Sequence, residues 1–209
     1  TLLRTTNAGL TFDGINVNNT QNYLAASFRA NSNLVFAVGS NGFLLSSTNS
    51  GGSWTQRLGG VDSDYTATQF RTDNLGYIVG PTGKFLVTSN GGNSLVDRSR
   101  PLTIDFNNLF FTTNAFGYII GENGTALRTS NSGSNWTSLN LNTEVDLKGI
   151  YFFTNNIGYV VGNNGFITKT DNAGVNWQVV QASNTTANLN EILFFDLAFG
   201  VVVGDGGYV

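Results

Sequence analysis

The chain has 209 residues, 40% hydrophobic and 11% charged, with a formal net charge of −3. Its ten Lys and Arg leave no basic excess to displace counterions, which argues against a nucleic-acid surface. Cys and His are both absent, which excludes disulfides, thiolate metal sites and the commonest general base, and no apolar run approaches the ~18 residues of a membrane-spanning helix.

Gly is frequent (26) and Pro scarce (2), a composition suited to many short strands joined by turns that need positive φ. Met is absent too, initiator included, which points to a mature or excised segment. Few charges with much Asn, Ser and Thr resemble exported bacterial surface proteins, so an extracellular or cell-surface location is expected.

In chain order, Thr1 to Phe12 ("TLLRTTNAGLTF") reads as the back half of a repeat whose complete copies follow. The next copy runs through "YLAASFR" (Tyr23 to Arg29) and "VGSNGFLLSSTNSGGSW" from Val38. "YTATQFR" (Tyr65 to Arg71) and "VGPTGKFLVTSNGGNSL" from Val79 repeat it, as do "FNNLFFT" from Phe106 and "IGENGTALRTSNSGSNW" from Ile120. "LKGIYFF" from Leu147 leads into "VGNNGFITKTDNAGVNW" from Val161, and "LNEILFF" from Leu189 into "VGDGGYV" from Val203. The glycine units at 38, 79, 120, 161 and 203 are 41, 41, 41 and 42 residues apart. Each period predicts four short antiparallel strands, with a two-residue turn inside G-x-x-G between the second and third. Four strands in roughly 40 residues is the blade period of a β-propeller.

The fold expected is therefore all-β: five four-stranded blades in one domain, residues 1–209. Superposed by the period, Tyr208 falls on Thr1 and Val209 on Leu2. Residues 189–209 and 1–16 would then share one composite blade and close the ring. A slice of a longer array is the alternative, and ends so nearly in phase favour the ring.

Each back half also fits S/T-x-D/N-x-G-x-x-W. The five fits are Thr5-Asn7-Gly9-Phe12, Ser47-Asn49-Gly51-Trp54, Thr88-Asn90-Gly92-Leu95, Thr129-Asn131-Gly133-Trp136 and Thr170-Asn172-Gly174-Trp177. This pattern resembles the Asp-box of sialidase-like propellers. With the preceding G-Y-x-V-G-x-x-G segment, the whole period resembles the photosystem II assembly-factor propellers. The resemblance implies that the boxes are structural turns: the Asn or Asp oxygen accepts backbone N–H groups, Gly supplies positive φ, and the aromatic packs into the blade. It also implies a partner-binding face rich in arginine, of which Arg29 and Arg71 are the matching residues. Asn stands in all five boxes where Asp is usual, which keeps the acceptor and loses the charge.

Sites of chemistry are sparse. G-x-x-G at Gly39, Gly80, Gly121, Gly162 and Gly204 lies between strands, whereas a phosphate loop needs a following helix. Asp62 with Asp64, and Glu144 with Asp146, are too few oxygens for a hard cation and read as solvated loops. The sialidase resemblance would require three convergent arginines, and none are legible. At matching first-strand positions stand Leu24, Thr66, Asn107, Lys148 and Asn190, followed by Ala25, Ala67, Asn108, Gly149 and Glu191. Of these, Asn107, Lys148, Asn190 and Glu191, with Arg29 and Arg71, are the candidate binding residues at a channel mouth.

The expectation is a non-catalytic interaction module with no cofactor, no metal and no membrane insertion, contacting a protein or glycan as part of a larger polypeptide or complex. The alternatives are a sialidase-like glycoside hydrolase and an assembly factor for a membrane protein complex.

Overall fold

The second segment of each complete period is apolar, and it becomes a strand buried on both faces. Flanking segments pair with it on either side, so the period folds as a meander. The structure, a computed structural model, describes residues 2–17, 21–28, 32–58, 63–180 and 185–207. Packing divides the chain into two units, Thr1–Arg100 and Pro101–Val209.

In the first unit, β1 (Leu2–Arg4) pairs with β2 (Asp13–Ile15) as a hairpin. A four-stranded sheet follows: β3 (Tyr23–Phe28), β4 (Val35–Gly39), β5 (Leu44–Ser47) and β6 (Thr55–Leu58), adjacent in that order. The next comprises β7 (Ala67–Phe70), β8 (Gly76–Gly80), β9 (Lys84–Thr88) and β10 (Val96–Asp97). In the second unit, β11 (Phe106–Phe111), β12 (Gly117–Gly121), β13 (Ala126–Thr129) and β14 (Thr137–Ser138) form one sheet. Another contains β15 (Leu147–Phe152), β16 (Gly158–Gly162), β17 (Ile167–Thr170) and β18 (Gln178–Val179). Last comes the hairpin of β19 (Leu189–Phe194) and β20 (Gly200–Gly204).

All pairings are antiparallel, and four of the five expected four-stranded sheets are present. The strands assigned to a composite fifth blade form two separate two-stranded sheets, β1–β2 and β19–β20. Their side chains are correspondingly bare. The middle third-strand position is at most 5% exposed at Leu45, Leu86, Leu127 and Thr168, but 63% exposed at Leu3. Val38, Val79, Ile120 and Val161 are buried, whereas the matching Val203 is 40% exposed.

Aromatic rings set the packing within and between sheets. Phe70, Phe111, Phe152 and Phe194 at the ends of first strands lie over Gly76, Gly117, Gly158 and Gly200, where a Cβ would collide with the ring. Rings on second strands then stack on three of these phenylalanines from the sheet before. Phe36 lies 3.4 Å from Phe70 in the first unit, and Tyr118 lies 4.1 Å from Phe152 in the second. Tyr159 stacks on Phe194 at 4.3 Å. Such pairs contribute about 0.5–1.5 kcal/mol each beyond area burial. The Tyr118 hydroxyl reaches further and donates to Ala173 O in the next sheet's box (2.8 Å).

Candidate functional site

The box turns are built identically five times. Gly9, Gly51, Gly92, Gly133 and Gly174 donate their N–H to the box hydroxyl of Thr5, Ser47, Thr88, Thr129 and Thr170 at 2.8–3.0 Å. That hydroxyl donates to the Oδ1 of Asn7, Asn49, Asn90, Asn131 and Asn172. The same Oδ1 accepts the N–H four residues on, from Thr11, Ser53, Ser94, Asn135 and Asn176. A further bond was not legible from one box alone: the Nδ2 of Asn7, Asn49 and Asn90 donates to the hydroxyl of Thr11, Ser53 and Ser94. An Asp could not make it. Trp136 packs edge-on against Phe111 and Trp177 against Phe152. The Trp54 indole donates to Gly51 O (3.2 Å), while the buried Trp177 indole N–H has no acceptor among the described residues. Packing, more than the indole donor, is what the position demands.

The G-x-x-G corners form backbone turns. The tight turn falls on the third and fourth residues, as at Asn41 (φ 56) and Gly42 (φ 68) or Asn164 (φ 57) and Gly165 (φ 69). The first glycine serves closeness. A Cβ on Gly39, Gly80, Gly121, Gly162 or Gly204 would overlap the carbonyl oxygen of Asn22, Asp64, Asp105, Asp146 or Asn188. Four of those carbonyls accept the N–H of the residue after the glycine, for example Asn163 N to Asp146 O at 2.9 Å.

Three of those five positions carry the clearest role missed by reading the sequence. The side chain of Asp64 accepts Asn41 N–H (3.0 Å) from the preceding sheet's corner, and Asp146 accepts Asn123 N–H (3.0 Å). Asn188 does the same for Asn164 (3.3 Å), and Asp146 also takes the Asn163 amide (3.2 Å). Asp64 and Asp146, expected as solvated loop residues, are inter-sheet caps. Their recurrence as Asn or Asp directly before Tyr23, Tyr65, Phe106, Leu147 and Leu189 was the available signal. Asp62 lies outside the described residues.

The candidate binding residues assemble in the second unit, where β11, β15 and β19 lie side by side. Each of these strands begins with a bulge, at Phe106/Asn108, Leu147/Gly149 and Leu189/Glu191. The bulge leaves Asn107, Lys148 and Asn190 outside the ladder and re-aims their side chains along the row of strand starts. Asn107 donates to Leu147 O (2.9 Å) and Asn108 to Lys148 O (3.2 Å). Lys148 Nζ donates to Asn190 Oδ1 (3.2 Å), whose amide donates to Asp205 (2.7 Å). Burial pushes the Glu191 carboxyl above the usual carboxylate range, against bonds from Ile192 N–H and the Asn108 amide. Bonds from the Asn190 and Asn188 amides, with the nearby Lys148 charge, hold Asp205 below it. The row is thus a continuous polar strip with one ammonium and two carboxyls.

In the first unit, Leu24 is exposed and Thr66 spends its hydroxyl on Val79 O. Arg71 follows the end of β7, five residues on from Thr66, which is about 16 Å along an extended strand. It is therefore at the opposite end of its strand from the row position. Arg29 lies outside the described residues.

Meander sheets with boxed corners and stacked rings define a β-propeller-type protein of Asp-box blades. The chain belongs to the family of photosynthesis system II assembly factor YCF48, whose family model matches residues 58–178. Among solved structures it is similar to YCF48 bound to D1 peptide, at 18% identity and TM-score 0.55, covering 92% of this chain and 93% of that one. It is similar to YCF48 from Cyanidioschyzon merolae at 15% identity and TM-score 0.53, covering 98% and 86%. A Niastella koreensis GH74 enzyme matches at 18% identity and TM-score 0.61, over 71% of this chain and 28% of the enzyme. No curated protein matches the chain.

Proposed function

We propose that the chain is a non-catalytic propeller scaffold that binds an extended segment of a protein partner along the first-strand row. The observation that carries this reading is the strip of Asn107, Asn108, Lys148, Asn190 and Glu191 on adjacent bulged strands, extended by Asp205 in the turn after β20, which offers donors and acceptors at strand spacing. Membership of an assembly-factor family supports a protein partner, and one structural relative is described as bound to a peptide. Glycan recognition and an exported, cell-surface setting belong to this proposal on composition alone. So does assembly of a larger complex, by analogy with the family.

The five periods in this reading make one ring and one domain, with β19–β20 and β1–β2 as halves of a shared blade. The bare faces at Leu3 and Val203 support it, because the same positions are covered in every complete sheet. The register of β16 on β17 would then place Val201 opposite Arg4 and Tyr159 beside Ala8. The chain has no cysteine of its own, so a V201C/R4C variant gives a clean readout. An intramolecular disulfide on mild oxidation is expected, and persistent free thiols would show an open array.

A hydrolase is the second reading, favoured by one observation: Glu191 is pushed up and Asp205 down, as an acid and its ionised partner require. Both carboxyls are nevertheless occupied by amides, which suits a binding strip better. The binding role is tested by selecting peptides from a random library on the full chain. Bound peptides should lose affinity about tenfold in Lys148→Ala, and retain it in Lys84→Ala in the first unit. Selected peptides indifferent to Lys148, or turnover on a glycoside panel, would overturn it.

A further inference from the structure

Beside the box of the β11–β14 sheet lies a cavity of about 320 Å³, lined by Arg128, Ser130, Asn131, Asn135, Thr137 and Leu139 among others. We propose that it is a carboxylate-binding site for a ligand the size of one amino-acid side chain or one sugar, separate from the first-strand row. Arg128 sits on β13 between Tyr118 and Thr137 of the flanking strands, with its guanidinium 5.8 Å from the Phe116 ring centre. The ring holds the guanidinium in one orientation without consuming its donors. No hydrogen bond or ion pair engages the Arg128 side chain among the described residues, and no acidic side chain lines the cavity.

The box itself supplies a second, independent donor. In the boxes of Asn7, Asn49 and Asn90, the amide nitrogen is spent on Thr11, Ser53 and Ser94. Here the matching position is Asn135, whose backbone N–H goes to Asn131 Oδ1. The Asn131 amide nitrogen is left without an acceptor among the described residues, and both Asn131 and Asn135 line the cavity. A planar guanidinium, primary amides and hydroxyls around one small volume form a donor set that a carboxylate satisfies. Ser46 and Val87 replace Arg128 in two sheets, and in the β15–β18 sheet Lys169 is accompanied by Asp171. In the β1–β2 sheet Arg4 holds the matching position, but there the Asn7 amide is spent on Thr11.

The test is a titration of the ¹⁵N-labelled full chain with N-acetyl-glutamate α-amide and with glucuronate, using glucose and acetamide as uncharged controls. Saturable shifts of the Arg128 Nε–H and of the Asn131 and Asn135 side-chain amides are expected with at least one carboxylate. The tighter of the two identifies a peptide or a sugar source. Arg128→Gln should weaken binding about tenfold or more, while Lys169→Gln leaves it unchanged. Shifts equal with the uncharged controls, no shift with either carboxylate, or binding that survives in a folded Arg128→Gln would each overturn the proposal.

Discussion

Asp146 joins two sheets through three oxygen atoms, and its removal has a calculable cost. Its carboxylate accepts Asn123 N–H from the preceding corner at 3.0 Å and the Asn163 amide at 3.2 Å. Asp146→Ala loses both acceptors but keeps the backbone carbonyl that takes Asn163 N–H. Bonds to a charged acceptor are worth about 1.5–3 kcal/mol when buried, and this corner is partly open to water. A net loss of about 2 kcal/mol is expected, or a melting temperature lower by about 4–8 °C for a chain of this length. Asp146→Asn should cost about 0.5 kcal/mol or less, because Asn188 performs the same capping with a neutral oxygen at 3.3 Å. Glu144→Ala, two residues away and exposed, should change stability by less than about 0.5 kcal/mol. Urea unfolding followed by tryptophan fluorescence measures all three. Equal losses for Ala and Asn at 146, or a neutral Asp146→Ala, would refute the capping argument.

Gly121→Ala places a Cβ on the carbonyl oxygen of Asp105, backbone that cannot swing aside, and should cost about 3 kcal/mol. Gly14→Ala, with open space around it, should be neutral, and the urea midpoints compare them directly. Glu191 has a folded-state pKa raised above its unfolded value, so the folded chain holds a proton where the unfolded chain has released it. Its contribution to stability therefore falls as pH rises from the ordinary Glu range through the raised value. Glu191→Gln should gain on the wild type across that window, and a stability difference flat with pH would contradict the burial of this carboxyl.

Much of the architecture was legible because the period repeats every physical requirement in register. Gly76, Gly117 and Gly158 mark where a phenylalanine must lie flat, and the box hydroxyl, Asn and Gly recur together. The row from Asn107 to Glu191 was found by aligning first strands, since matching positions in neighbouring strands must be neighbours in space. The caps were not found. Asp64 and Asp146 look like any charged loop residue, and their partners lie 23 residues upstream in another sheet. Nor could the arginines be placed by type alone. Arg71 stands beyond the far end of β7, away from Thr66 at the matching first-strand position, and Arg128 gains meaning only from Phe116 and the unspent Asn131 amide.

The lid for the corners at Asn41, Asn123 and Asn164 is encoded in the following period, so the unit of sequence is not the unit of stability. A single period excised from the chain would carry an uncovered corner at one end and an idle carboxylate at the other. Cohesion resides in the seams, and adding or deleting whole periods would alter how many seams exist without changing how any one of them is made.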